Sequence, residues 1–361
     1  MLLSDFHYDL PDERIAQQPL SERSASRMLR VDRESGILND AAFSSFPELL
    51  RPDDLVIFNN TRVFPARLYG RRSGSRAQRL SSRNPATQSF LSGQIEVLLT
   101  HQLSSEPNEW ECLVRPGRKI GIGEHLFFGD HELEAEVIAR GSFGERRIRF
   151  GPVADFAKAL ERLGHVPLPP YIHRDDSNAD LERYQTVYAR ERGSVAAPTA
   201  GLHFTSEIME RIRQRGIEIA EVTLHIGLGT FQPLRADTVE ENRLHREAFQ
   251  ITEQTASAIN LALQAKRRVV AVGTTTVRTL EYAALRSGGL EAGDGEADLF
   301  IYPGFKFRVV GALLTNFHLP QSSLLMLVCA FGGRECVLNA YKHAVAEKYR
   351  FYSYGDCMFL E

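Results

Sequence analysis

The sequence predicts a layered, mixed α/β main domain interrupted by a small inserted antiparallel β-barrel. Three observations carry this expectation. A chain of 361 residues is long enough for two or three domains. Short strand-like runs spaced by Gly, Pro, Asn and Asp fill the stretch before Pro152, and helix-like and strand-like segments alternate after it. The main domain is accordingly assigned to residues 1–65 and 152–361, and the barrel to residues 66–151.

In chain order, Leu29 to Asp40 reads as a hairpin turning at Ser35-Gly36. Val56-Ile57-Phe58, followed by Asn59-Asn60, is a short apolar run of the kind covered on both faces of a sheet. From Arg71 to Gly93 the chain is polar, rich in Arg and Ser and without periodicity, the composition of a mobile loop. Five short runs follow, beginning at Gln94, Glu109, His125, Glu132 and Glu145, and several of them alternate apolar with charged residues. Val153 to Gly164 reads as a helix with Val153, Phe156 and Leu160 on one side and Gly164 as its stop. Ser206 is the expected N-cap of a helix ending at Gly216, and Thr252 of a helix whose apolar side includes Ala256, Ile259 and Leu263. The strand-like Arg268–Gly273 leads directly into a helix over Thr274–Leu285.

Composition limits the function classes. Apolar residues make up 43% and charged residues 25%, ordinary values for a soluble globular chain. The net charge of −3 makes RNA contact a matter of a local patch. From Leu55 to Ile95 there is no Asp or Glu, yet Arg62, Arg67, Arg71, Arg72, Arg76, Arg79 and Arg83 occur there. These form either such a patch or a solvated loop. The cysteines, Cys112, Cys329, Cys336 and Cys357, form no CxxC pair and read as reduced thiols. No apolar run near the start suits a signal sequence, and Leu324–Phe331 is too short to span a bilayer. A soluble cytoplasmic protein is expected.

Five stretches look chemical. In Glu182–Thr205, Tyr184 and Gln185 precede Pro198-Thr199-Ala200-Gly201, with His203 and Phe204 close behind; small residues let a backbone approach a ligand that a hydroxyl and an imidazole can reach. Thr223–Phe231 is a strand with His225 near its end, running into Gly227, Gly229 and Thr230. It lacks the third glycine of a dinucleotide site and reads as a pocket-lining loop. Val269–Glu281 is a buried strand ending in Gly273, with Thr274, Thr275 and Thr276 opening a helix that also carries Arg278. It has neither the lysine nor the spacing of a nucleoside-triphosphate loop. Leu314–Ser323 presents Asn316, Phe317 and His318 before Leu319-Pro320. Arg350–Asp356 sets Phe351, Tyr352 and Tyr354 beside a cation, which suits unstacked bases or, equally, a C-terminal strand packed in the core. His203, His225 and His318 have no HExxH or i, i+4 pairing, so a metal site is not expected.

Together and in this order these stretches resemble one family closely, the S-adenosylmethionine:tRNA ribosyltransferase-isomerases of queuosine biosynthesis. The resemblance runs through DFHYDLPDERIAQQPL, LVIFNNTRVFPARLYG, WECLVRPG, LPPYI, RYQTVYA, SVAAPTAGLHFT, TLHIGLGTFQP, VGTTTVRTLE, TNFHLPQSSLLMLV and YRFYSYGDCM, nearly the whole chain. Asn60 departs from the aspartate of the family's FNDTR pattern, and the stretch at about 71–92 is longer than the family's usual loop.

The resemblance implies that S-adenosylmethionine serves as ribosyl donor. The acceptor is the aminomethyl group of 7-aminomethyl-7-deazaguanine at the wobble position of the tRNA anticodon loop, giving epoxyqueuosine-tRNA, adenine and methionine. It implies a monomeric cytoplasmic enzyme without metal or redox cofactor. His203 is then the first candidate base, with His225 and His318 as alternates. Asn60, Thr61, Arg62, Arg115, Tyr184, Gln185, Thr199, Phe204, Gly227, Gly229, Thr230, Gly273, Thr274, Thr275, Thr276, Arg278, Asn316 and Tyr354 become the candidate substrate contacts.

Overall fold

A computed structural model describes the chain apart from residues 74–93, 142–143, 228–233, 235 and 288. Most of the expected Arg- and Ser-rich loop, together with Gly229 and Thr230, lies outside the described residues. The main domain is built on a nine-stranded mixed sheet. At its centre Leu55–Asn59 runs parallel to Glu218–Leu224 on one side and to Val269–Val272 on the other, and Ala312–Asn316 extends the parallel set. Cys357–Leu360 follows, antiparallel to Ala312–Asn316 and parallel to Arg27–Val31. The expected hairpin forms between Arg27–Val31 and Leu38–Ala42, with Gly36 at φ 72° in its turn. On the opposite flank Glu247–Ile251 and Gly293–Ala297 add antiparallel strands.

Residues 55–58 and Val269–Val272 are apolar throughout because both their faces are covered. Leu55 and Ile57 point into one core with Ile259, Val277, Leu280 and Leu325, from the helices Glu253–Gln264, Thr274–Ser287 and Ser323–Gly332. Val56 and Phe58 point the other way, into a core with Phe43, Phe46, Phe204 and Ile208. The apolar run Leu324–Phe331 belongs to the Ser323–Gly332 helix, which is mostly buried here. Among the described residues no single helix is long and apolar enough to cross a membrane.

Two helix starts differ from expectation. Thr205, not Ser206, caps the helix Ser206–Gln214: its hydroxyl accepts from the Ile208 N–H at 3.3 Å, while Gly216 at φ 73° stands just past the end as expected. The helix after Pro152 begins only at Phe156, because Asp155 is extended and its carboxylate accepts from the Lys158 N–H at 3.0 Å. Val153 therefore stays outside the helix and exposed. Thr252 does cap Glu253–Gln264.

The second sheet contains Arg67–Arg72, Ile95–Ser105, Asn108–Arg115, His125–Phe128, Leu133–Arg140 and Glu145–Phe150, and it closes into a six-stranded antiparallel barrel when Arg67–Arg72 meets His125–Phe128. A side chain at the seam residue Gly70 would stand 2.3 Å from the Phe127 carbonyl oxygen, so glycine allows the closure. The helix Phe156–Leu163 sends Ala159 and Leu160 into the barrel core. Gly164–His165 then pairs with Leu68 and Arg67.

Candidate functional site

Neighbouring parallel strands of the central sheet end together, and the chain beyond their carboxyl ends encloses a cleft of about 480 Å³. This is the position and the size at which open α/β sheets hold small ligands. Gly273 follows the strand Val269–Val272, and Asn316 ends its neighbour; Ala197–Ala200, Pro170-Tyr171 and Tyr352-Ser353 complete the walls.

Gly273 has φ 92°, a backbone conformation that costs a side-chain-bearing residue and turns the chain sharply from strand into the Thr274–Ser287 helix. The three threonines then divide their work. The Thr276 hydroxyl donates to the Val272 carbonyl at 2.7 Å and is committed to the fold. Thr274 and Thr275 line the cleft, and the Thr275 hydroxyl is buried without a hydrogen-bond partner. Burying an unsatisfied hydroxyl costs about 1–3 kcal/mol. Thr275→Val is therefore expected to leave the free protein as stable or up to about 1 kcal/mol more stable, while weakening ligand binding. Thermal unfolding with and without ligand checks both signs, and equal affinity would show that the hydroxyl meets no ligand.

Asn316 is fully buried and fixed by its amide, which donates to the Tyr352 carbonyl at 2.9 Å, leaving its side-chain oxygen without a partner. His318 lines the same cleft. Its backbone N–H donates to the Tyr341 hydroxyl at 3.0 Å, and its carbonyl accepts from the Tyr8 hydroxyl. Its Nε2 meets the Thr315 hydroxyl at 2.9 Å, and Thr315 itself donates to the Asn316 carbonyl at 3.3 Å. Thr315 thus accepts from Nε2–H, and the lone pair is left on Nδ1. Burial pushes the His318 imidazole down to about 3, so it is neutral near pH 7.

His203 does not line this cleft; it is buried against Phe43 and borders a separate small cavity. Its Nδ1 meets the Ser26 hydroxyl at 2.8 Å, and its Nε2 is buried without a partner. Burial lowers its pKa to about 4, the adjoining Asn316 side chain opposes this, and the Arg350 and Arg23 cations lower it further. Asn316 therefore separates the two imidazoles in role: His318 faces the cleft, and His203 stands behind its wall. His225 holds the Thr61 hydroxyl at 2.8 Å through Nδ1, over Gly193, whose missing side chain leaves room for the ring.

Of the remaining candidates among the described residues, only Thr199 faces the cleft. Phe204 is wholly buried, edge-on to Phe43 and Phe58 at 5.0 Å. Tyr184 is a core residue whose ring packs against Tyr354, and Tyr354 donates to Asp180 at 2.7 Å. Gln185 clasps the backbone of Val63 through both ends of its amide, at 3.0 and 2.7 Å. Asn60 donates to Glu221 and accepts from the Thr223 hydroxyl. Arg278 pairs with buried Glu247 at 2.6 Å, and Glu247 also accepts from the Gly227 N–H. Arg62 is exposed on the short strand Thr61–Val63, and Arg115 is exposed on the barrel, 4.0 Å from Glu96. These contacts explain the residues as structural or surface groups.

Of the two tyrosines in the cleft wall, the sequence offers Tyr352 as a stacking face for an unstacked base, with a core strand as the alternative, and does not single out Tyr171. Their ring centroids are 4.1 Å apart in the cleft wall, Tyr171 shares a 2.5 Å hydrogen bond with Ser353, and the Tyr352 hydroxyl is buried and unpartnered. Tyr352 also adopts φ 73°, a strained backbone of the kind that clusters at ligand sites. The stretches LPPYI and RFYSYGD carried these two residues, but nothing local marks which tyrosine turns inward.

Such a cleft, with paired tyrosines, a helix start and a neutral imidazole around it, belongs to an α/β enzyme for a polar, aromatic small molecule. The model of the family described as queuosine biosynthesis protein matches residues 3–360, and the chain belongs to that family. A relative from Solibacter usitatus, named S-adenosylmethionine:tRNA ribosyltransferase-isomerase, is 58% identical over 360 residues that span 100% of both chains. A relative of the same name from Geobacter metallireducens is 47% identical over the same span. The crystal structure of the S-adenosylmethionine tRNA ribosyltransferase from Thermotoga maritima is similar with a TM-score of 0.55 and 35% identity, covering 99% of this chain and 100% of that one. The protein is thus an enzyme of the ribosyltransferase-isomerase class.

Proposed function

We propose that this enzyme transfers and isomerises the ribosyl part of S-adenosylmethionine onto the aminomethyl group of 7-aminomethyl-7-deazaguanine at the tRNA wobble position. The products are epoxyqueuosine-tRNA, adenine and methionine, and the enzyme works as a cytoplasmic monomer without metal or redox cofactor. Residues 1–65 and 152–361 form the catalytic domain in this proposal, and residues 66–151 the inserted one. The observation that supports it best is the meeting of the Gly273–Thr275 helix start, the free Asn316 oxygen and the neutral His318 ring in one cleft.

Each part answers a demand of the reaction. The sulfonium acidifies the neighbouring C5′ hydrogens, and His318 Nδ1 offers a lone pair to take one as the rearrangement begins. The free N–H groups opening the Thr274–Ser287 helix suit the carboxylate of the methionyl end. The Asn316 oxygen and the Thr275 hydroxyl are placed for the amino and ring positions of adenine or for ribose hydroxyls. Tyr171 and Tyr352 offer faces for a ring, whether adenine or the base splayed out of its loop. His203 stands behind Asn316 and adjoins its side chain.

Incubating the protein with S-adenosylmethionine and precursor-bearing tRNA is expected to release adenine. RNA binding without adenine would make it a binding protein instead. Loss of activity with a chelator would point to a metal-dependent hydrolase.

A further inference from the structure

A second cavity, of about 20 Å³, borders His203 and shares Ser353 with the large cleft. Arg23 and Arg183 line it, and Arg350 stands close enough to lower the His203 pKa. Each of these guanidiniums is half-buried and tied to main-chain carbonyls. Arg23 donates to Leu202 and Glu182 at 3.2 and 2.8 Å, Arg183 to Ser21 and Leu20 at 2.8 and 2.7 Å, and Arg350 to Gln18. None of the three forms an ion pair with a described residue. Arg183 Nε and Arg350 Nη1 are buried with no partner at all. Of the carboxylates nearby, Glu22 sits exposed on the rim, and Glu182 acts on Arg23 through its charge without an ion pair. Asp356 acts likewise on Arg350, while its oxygens are held by the backbone N–H groups of Arg27 and Arg350.

We propose that Arg23, Arg183 and Arg350 form an oxyanion seat that takes a backbone phosphate of the RNA substrate. The proposal rests on the tRNA substrate put forward above and names where its backbone is gripped. Carbonyl ties fix the forks in orientation without neutralising them, so an incoming anion meets preorganised donors and relieves cation–cation repulsion. Burial lowers the Arg23 pKa and its neighbour Arg183 lowers it further, against the opposing charge of Glu182. The cavity has room for about one or two oxygen atoms. The rest of a phosphodiester would lie at its open mouth.

Two variants test this, with tRNA affinity measured over a range of salt concentrations. Arg183→Gln is expected to weaken binding several-fold and to reduce the slope of log affinity against log salt by about one. Leu20→Glu keeps every arginine and puts a carboxylate at the rim. It is expected to raise the melting temperature of the free protein and to weaken tRNA binding, which also covers the case in which Arg183→Gln misfolds. If wild-type protein binds tRNA and both variants keep its affinity and slope, the seat is wrong while the substrate stands. If inorganic phosphate stabilises wild type but not Leu20→Glu and the tRNA slope stays unchanged, the seat serves a free anion and the backbone assignment is overturned. If wild type binds no tRNA, the proposed substrate fails, and the seat with it.

Discussion

Replacing His318 by glutamine should lower turnover about a hundredfold or more, the usual scale for losing an acid–base group, while S-adenosylmethionine still binds within a few-fold of wild type. The expectation follows from position and protonation together. His318 is held at both ends of its own backbone and at Nε2, so its ring has one orientation in the cleft. Its burial keeps it neutral, and a neutral ring with a free lone pair can accept a proton. Glutamine keeps a polar group of similar reach but cannot take up a proton. The same substitution at His203 should act differently. That ring lies behind Asn316, so its loss should raise KM and loosen the Asn316 amide more than it lowers kcat. Adenine release under single-turnover conditions separates the two. A His318→Gln enzyme turning over near the wild-type rate would remove this residue from proton transfer, and a His203→Gln enzyme with the larger loss of kcat would exchange their roles.

The layout of the fold was open to sequence reasoning because it depends on local signals. The apolar run Val56–Phe58 can be so continuous only when both faces are covered, and they are. Thr252 and Gly216 mark helix ends through their own backbone chemistry. The site was less open, because small residues beside polar and aromatic ones describe a ligand wall and a tight core equally well. Within SVAAPTAGLHFT, Thr199 faces the cleft, but Phe204 fills the core three rings deep. Arg278 looked like an anion contact until Glu247, remote in sequence, was found beside it. Arg183 and Arg350 lie in the stretches RYQTVYA and YRFYSYGDCM, but only the fold brings Arg183 to one cavity with Arg23, with Arg350 near their shared neighbour His203. The positive φ of Tyr352 is equally silent in sequence, since tyrosine seldom adopts it.

The two buried imidazoles should also make the protein acid-sensitive in a defined window. In the unfolded chain each histidine protonates near its ordinary value of about 6.5. In the folded protein burial holds His203 down to about 4 and His318 down to about 3. Below pH 6.5 the unfolded state therefore binds more protons than the folded state, so stability is fully present above that pH and falls as the pH drops. The slope approaches about 1.4 kcal/mol per pH unit for each histidine, or about 2 kcal/mol each by pH 5. Burial also pushes the carboxyls of Glu281 and Asp356 up, which acts in the opposite sense, so the difference between proteins is the quantity to measure. Urea unfolding of wild type and of the double variant His203→Gln, His318→Gln should diverge between pH 7 and pH 5. Wild type is expected to lose about 4 kcal/mol more than the variant over that interval. Parallel curves would mean that both rings protonate in the folded protein as readily as in the unfolded chain, and that burial does not hold them neutral.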